Sequence, residues 1–233
     1  MIGKAVTLGL AGIAAAAPAT PPAVMPHYPE SSISKGFNLV VNVTDPSRDF
    51  SPSIQNTYLA SIHVGAGLNL VGSSDNIDYG RIFYVNGTAN QVFYGQSRII
   101  TDGGTPPFPE GLSVVKEEGS DVRSDARLDA GRGDEGFGIA RFPNPYAVVA
   151  PEGWYACNEE LPYYQGRKFI VIKQAKLSID GDNIPAECAP ISLIPQCAIL
   201  NDLPEGSRSS HEFAADSKCY EDVASINWPD YGP

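Results

Sequence analysis

The sequence predicts an all-β protein, an antiparallel β-sandwich or barrel-like domain with a short C-terminal helix packed on it. Three observations predict this. Short alternating or apolar segments recur at 36–43, 57–64, 68–72, 80–86, 91–95, 97–101, 111–115, 137–142, 146–150, 153–157, 167–173, 175–179 and 190–194. Turn chemistry separates them, as in Asp45-Pro46, Asp102-Gly103-Gly104, Pro106-Pro107, Asn144-Pro145 and Asp180-Gly181, which is the rhythm of strands joined by tight connections. No helix-sized amphipathic run interrupts that rhythm before residue 205, and 23 Gly, 20 Pro, 11 Tyr and 9 Phe suit short strands and turns.

The elements follow in chain order. Lys4 precedes an apolar run, Ala5 to Ala17, that ends in small residues, the layout of a secretory signal peptide. Residues 1–19 are read as that leader, because Ala17 and Ala19 satisfy the small-x-small rule for cleavage before Thr20. Residues 20–34, rich in Pro and Ser, read as an extended arm or tether. Residues 35–233 then form one domain, since a chain of this length can bury a single large core.

In Phe37-Asn38-Leu39-Val40-Val41-Asn42-Val43, the residues Phe37, Leu39, Val41 and Val43 share one strand face and Asn42 points to the other. Asn42-Val43-Thr44 and Asn86-Gly87-Thr88 are glycosylation sequons in an exported protein. Asn86-Gly87 also reads as a hairpin turn between 81–85 and 91–94. Residues 116–136 carry eleven charges in twenty-one positions and predict a long, mobile surface loop. Residues 205–233 change character: Ser209 and Glu212 offer a capping box. That pair predicts a helix from about 210 to 216, extendable to 224, in a cap anchored by Trp228.

Export places Cys157, Cys188, Cys197 and Cys219 in an oxidising compartment, where they are expected as crosslinks. Four cysteines allow three pairings. Cys157–Cys188 with Cys197–Cys219 is preferred, because the first ties the strand 154–157 to the segment entering 191–194 and the second staples the terminal cap to the sheet. Cys188–Cys197 with Cys157–Cys219 remains open, and structural zinc is disfavoured without a close Cys-x-x-Cys pair.

The formal net charge of −11 opposes binding to a phosphate backbone. Beyond the leader, no apolar run approaches the ~20 residues of a membrane span. No cofactor is implied, and candidate chemistry is sparse. Gly131-Arg132-Gly133-Asp134-Glu135-Gly136 matches a dinucleotide fingerprint only as a string, with carboxylates where pyrophosphate would lie. Within it, Arg132-Gly133-Asp134 is an adhesion-type tripeptide. His211-Glu212 begins like a zinc-protease helix, but residue 215 is Ala, so the second histidine is missing.

His27, if exposed as a new N-terminus, could chelate copper with His63, which lies on the outward face of the strand 58–64; ordinary surface histidines are the favoured reading. Asp180-Gly181-Asp182-Asn183 resembles part of a calcium loop without its chelating Glu, and reads better as a turn. Trp154, Tyr155, Tyr163, Tyr164 and Tyr146 would serve as a sugar-stacking platform or as core aromatics, the commoner role.

Several stretches together carry a resemblance: Gly80 to Thr88, Thr101 to Pro109, and Leu193 to Cys197 through Asn201 to Gly206, Ser210 to Phe213 and Cys219 to Val223. They are similar to a family of secreted proteins of filamentous fungi known only as a domain of unknown function. A weaker likeness links Ala60 to Gly67 with fungal cell-wall proteins of the IgE-binding, phialide-associated type. The resemblance implies secretion and a fungal source, and it supplies no catalytic residues. The expectation is a non-enzymatic secreted or cell-wall-associated protein whose partner is a wall glycan or another extracellular protein. The alternatives are a carbohydrate-binding or carbohydrate-active protein, and a host-directed effector or adhesin displaying Arg132–Asp134.

Overall fold

A computed structural model describes residues 26–178, 181 and 183–232. The leader 1–19 and the start of the arm lie outside the described residues, as do Asp180 and Asp182. Fifteen strands and one short α-helix are described: β1 (Ser32–Ser34), β2 (Gly36–Val43), β3 (Tyr58–Gly65), β4 (Leu68–Ser74), β5 (Ile82–Asn86), α1 (Ala89–Phe93), β6 (Arg98–Gly103) and β7 (Phe108–Lys116), followed by β8 (Arg123–Ala130), β9 (Gly138–Ile139), β10 (Val149–Ala150), β11 (Trp154–Leu161), β12 (Arg167–Ala175), β13 (Ala189–Ala198), β14 (Ala214–Ala215) and β15 (Ser217–Cys219). The fold is all-β and its strand pairings are antiparallel.

One large sheet closes on itself. β13 pairs with β2 from Ile191↔Val43 to Ala198↔Gly36, and β11 bridges β13 to β12. From β2 back to β12 the ladder takes two routes. One runs through β5, β6, β7 and β8; the other runs through the β3–β4 hairpin. Closure leaves few edges open for pairing with another chain.

Alternation fills the interior. Phe37, Leu39, Val41 and Val43 of β2 join Val71, Phe83, Val85, Ile99, Leu112, Leu128, Trp154, Ile172 and Leu193 in one buried cluster. A second cluster lies on the outer face of β2 and β13, where Val40 and Ile194 meet Ala147, Val148, Tyr220 and Val223. Trp228 packs there edge-on to Tyr146 and Tyr220, so it anchors the C-terminal segment. Tyr220 accepts the Ala147 N–H at 3.0 Å, satisfying a buried donor.

The cysteines are bonded as Cys157–Cys188 and Cys197–Cys219, which settles the choice among the three pairings. The first joins β11 to the chain entering β13, and the second joins β13 to β15.

Four sequence expectations are corrected. Residues 116–136 are not one long loop. Ala126 and Leu128 are fully buried, so period-2 alternation persists beneath the charges and makes β8. The outward charges find partners: Arg123 with Glu117, Asp125 with Lys173, and Arg127 with Asp129. Composition alone hid a strand whose polar face is ion-paired.

The predicted helix at 210–216 is also absent. Ala214–Ala215 forms β14 on the open edge of β5, Ser217–Cys219 forms β15, and only 3-10 turns follow at Val223–Ser225 and Trp228–Asp230. A helix of seven residues is marginal in water, whereas the β5 edge and the crosslink at Cys219 hold the segment extended.

Asn86-Gly87 does not turn a hairpin. Thr88 and Gln91 form a capping box that starts α1, and the next strand paired with β5 is β6, beyond the helix. Finally, the arm is not a free tether over its described part. Ser32–Ser34 pairs with Ser217–Cys219, and Tyr28 packs edge-on to Tyr146.

Candidate functional site

Three of the concavities on the described surface differ in their chemistry. A polar cleft of about 480 Å³ opens beside the start of β5 and the end of β6, lined by Arg81, Thr101, Asp102, Asp78 and Asn201 among others. Arg81 and Glu110 share the inward parity of β5 and β7, so both reach the end of the closed sheet. The Arg81 guanidinium pairs with the Glu110 carboxylate and donates to Asp102 O at 2.8 Å. Asn69 also donates to Glu110, at 3.2 Å. Burial pushes the Glu110 carboxyl above the usual carboxylate range, against the pull of Arg81 and Asn69. On the other face of the same strands, His211 Nε2 lies 2.7 Å from Asp102 Oδ2, with the His211 ring edge-on to Tyr84 at 4.8 Å. Burial raises the Tyr84 hydroxyl beyond its ordinary range, and the Asp102 charge adds to that effect.

A second hollow, of about 440 Å³, lies beside the Cys157–Cys188 bridge. Lys173 stands at its floor with Nζ at 2.8 Å from Glu117, 3.0 Å from Asp125 and 2.5 Å from Glu159. Burial disfavours its charge, but these hydrogen bonds outweigh burial and hold the ammonium protonated. Tyr155 OH donates to Glu117 at 3.2 Å, and the Arg123 guanidinium donates to the same residue. Lys173, Arg123, Glu117, Asp125 and Glu159 are therefore committed to one another.

The third and largest concavity is an open groove of about 740 Å³ on the outer surface. One wall is α1, whose capping box presents Val92 and Phe93. Its other wall is the β1–β15 pair, with Ile33 and Lys218. The segment carrying Ile139, Arg141 and Phe142 completes it. Phe93, Tyr94 and Phe142 are 68%, 70% and 93% exposed at or beside the rim. The floor is bare where Gly95, Gly136 and Gly138 lie; a Cβ at Gly138 would come within 2.9 Å of Ser97 Oγ. Arg141 is fixed on the α1 side, donating to Val92 O at 2.6 Å and lying over the Phe93 ring at 5.6 Å. An open trough of this kind binds by shape and apolar contact, and a volume of ~300–1,000 Å³ is usual for ligand sites.

The residues singled out from sequence are scattered relative to these features. Asn42 is half-buried on β2, opposite Ser192, and its Oδ1 accepts from Gln55 at 3.1 Å. Asn86 ends β5 between Ala214 and Arg98. His27 packs on Tyr231 and His63 on Tyr163, on different parts of the fold, and no group of three or more potential ligands for a metal ion occurs among the described residues. Trp154 and Tyr155 are core side chains. Tyr163 and Tyr164 are on the surface but meet at 67°, not as a flat platform.

Arg132–Asp134 is laid flat on β7. Asp134 Oδ2 accepts the Val114 N–H at 3.0 Å, and Gly133, at φ +68°, lies against the backbone of Gly111 and Leu112 where a Cβ would clash. The groove is not encoded by any one stretch of sequence, since its walls come from residues near 33, 92, 140 and 217. The one local signal was Thr88-x-x-Gln91.

Fold and site together define a closed antiparallel β domain, doubly crosslinked, with an open apolar groove on its outer surface. The chain belongs to the DUF7907 family, a domain of unknown function, which matches residues 34–197. It is 57% identical over 215 residues to the antigenic protein SchS34 of Stachybotrys chartarum, covering 90% of this chain and 96% of that protein. No solved structure matches it. Among the described residues no helix is long and apolar enough to cross a membrane.

Proposed function

We propose that the protein is a secreted or wall-associated binding protein without catalytic activity, and that the apolar groove is its working surface. The observation that carries this reading is the contrast between the concavities. Lys173 and its three carboxylates are committed to one another, and so are Arg81 and Glu110. The groove instead offers apolar side chains and rim aromatics to an incoming partner. Secretion is supported by the leader-like residues 1–19 and by two disulfides, which persist in oxidising compartments. The description of the fungal relative as antigenic accords with a protein met outside the cell. Asn42 and Asn86 would then carry glycans.

The test has two parts. Protein purified from culture medium should begin at Thr20, carry both disulfides and lose mass on deglycosylation. It should also brighten an environment-sensitive apolar dye, and Phe93→Ser with Phe142→Ser should reduce that signal several-fold without changing the fold. Dye binding that is absent, or unaffected by the two substitutions, would refute the groove as the working surface.

A second reading, a carbohydrate-active protein, is favoured by the Asp102–His211 pair beside the polar cleft, where a carboxylate orients an imidazole. Glycan hydrolysis by the purified protein, abolished in His211→Ala, would establish it in place of the first.

A further inference from the structure

We infer that the groove takes a single-chain anionic amphiphile, a free long-chain carboxylate whose tail lies along the trough and whose head meets Arg141 and Lys218. The inference rests on the groove being the binding surface and names the chemical class it accepts. In a chain with 27 acidic and 16 basic residues, the ionised side chains lining this groove are two basic and one acidic: Arg141, Lys218 and Asp216. That local excess of positive charge runs against the overall charge of −11. It lies beside the apolar side chains of Ile33, Val92, Phe93 and Phe142.

Arg141 is held in place rather than left to solvent. One of its amino groups bonds Val92 O at 2.6 Å and its central carbon lies over the Phe93 ring at 5.6 Å, so its remaining donors are held at the α1 wall. A guanidinium positioned this way suits a carboxylate head. Neither Arg141 nor Lys218 forms an ion pair among the described residues, unlike Arg81, Arg98, Arg123, Arg127 and Lys173. The aromatic geometry disfavours a sugar here. Phe93 and Tyr94 stand at 90° to each other and so form no coplanar two-ring platform. An alkyl chain has no such requirement, and the glycine floor lets it approach the backbone closely.

The experiment is displacement of the apolar dye from the full secreted protein by hexadecanoate below its aggregation concentration, with hexadecan-1-ol as the neutral probe and anionic phospholipid vesicles as a separate arm. Hexadecanoate is expected to displace the dye at a lower concentration than the alcohol. Arg141→Ala with Lys218→Ala should weaken hexadecanoate about 10-fold and leave the alcohol unchanged. Phe93→Ser with Phe142→Ser should weaken both.

A dye that binds but is not displaced by hexadecanoate overturns this inference and leaves the groove reading standing; a dye that does not bind removes that reading first. Equal affinity for acid and alcohol, or no effect of removing the two cations, also overturns it. So does binding to vesicles without displacement by free hexadecanoate, or a stable dimer by sedimentation that Phe93→Ser with Phe142→Ser dissociates.

Discussion

Replacing Lys173 with methionine should destabilise the protein at neutral pH and do so much less in acid. Methionine keeps an unbranched apolar stem and deletes the charge. Three carboxylates then face one another without their shared cation. Removing one partner of a buried ion pair costs about 3–5 kcal/mol. Lys173 is 8% exposed, whereas Glu117, Asp125 and Glu159 are 18%, 30% and 35% exposed and keep some hydration. That screening lowers the expected cost to about 2–3 kcal/mol, a fall in Tm of about 4–12 °C for a chain of this size.

The pH dependence follows from Glu117. Burial acts to raise its carboxyl, but hydrogen bonds from Lys173 and Arg123 outweigh burial and hold it below the usual carboxylate range. A carboxyl depressed in the fold contributes stability above its unfolded pKa, about 4.3, and loses it as pH falls through the lower folded value. Without Lys173, burial works against one cation fewer, so the same carboxyl rises and takes up a proton in the folded state. The gap between the two proteins should therefore shrink between pH 7 and pH 3. Thermal and urea melts followed by circular dichroism at both pH values measure it. A gap under about 0.5 kcal/mol at pH 7, the range of an ordinary surface change, or one that does not narrow in acid, would refute the reasoning.

Other expectations are simpler. Asp134→Ala, which removes the acceptor for Val114 N–H, should cost about 1 kcal/mol and open the 132–135 segment to faster amide exchange. Thr88→Ala breaks the capping box of α1 and should cost about 1 kcal/mol, with increased exchange confined to the groove wall around Val92. Leu112→Ala, at a fully buried position inside the closed sheet, should cost about 2–5 kcal/mol by chemical denaturation. Serine at both Cys197 and Cys219 should weaken dye binding more than serine at both Cys157 and Cys188, although each pair loses a crosslink of similar worth.

How much of this could be read from the chain depends on whether a signal is local. The inward set Phe37, Leu39, Val41 and Val43 was legible because a strand face repeats every second residue and β2 obeys that rule. β8 was not, since Arg123, Asp125 and Arg127 give a composition that resembles a solvated loop. Only two inward residues, Ala126 and Leu128, betray the strand, and two of the partners that make its charges tolerable, Glu117 just past β7 and Lys173 on β12, lie outside it. At the C-terminus a genuine local preference lost to a distant one: Ser209 and Glu212 could cap a helix, but Ala214 and Ala215 meet an unfilled edge at Asn86 and Val85. The groove was illegible for the same reason. Each wall is unremarkable in sequence, and only the closure of the sheet brings them face to face.

The crosslinks bear on the parts of the fold that closure does not secure. β1 and β15 form a two-stranded sheet of their own, outside the closed ladder, and they make one wall of the groove. β15 is tied to β13 by Cys197–Cys219 and by backbone bonds between Cys197, Pro195 and Tyr220, each at 2.9 Å. Loop-closure arithmetic assigns roughly 3–4 kcal/mol to a crosslink of this span, more than those two hydrogen bonds supply together at about 1 kcal/mol each. The disulfide is thus the larger restraint on the wall carrying Ile33 and Lys218. Cys157–Cys188 lies beside the Lys173 hollow instead and touches neither groove wall. Two bonds of similar stabilising value therefore differ in consequence: opening one loosens the carboxylate-bound lysine, and opening the other loosens the surface on which a partner would be held.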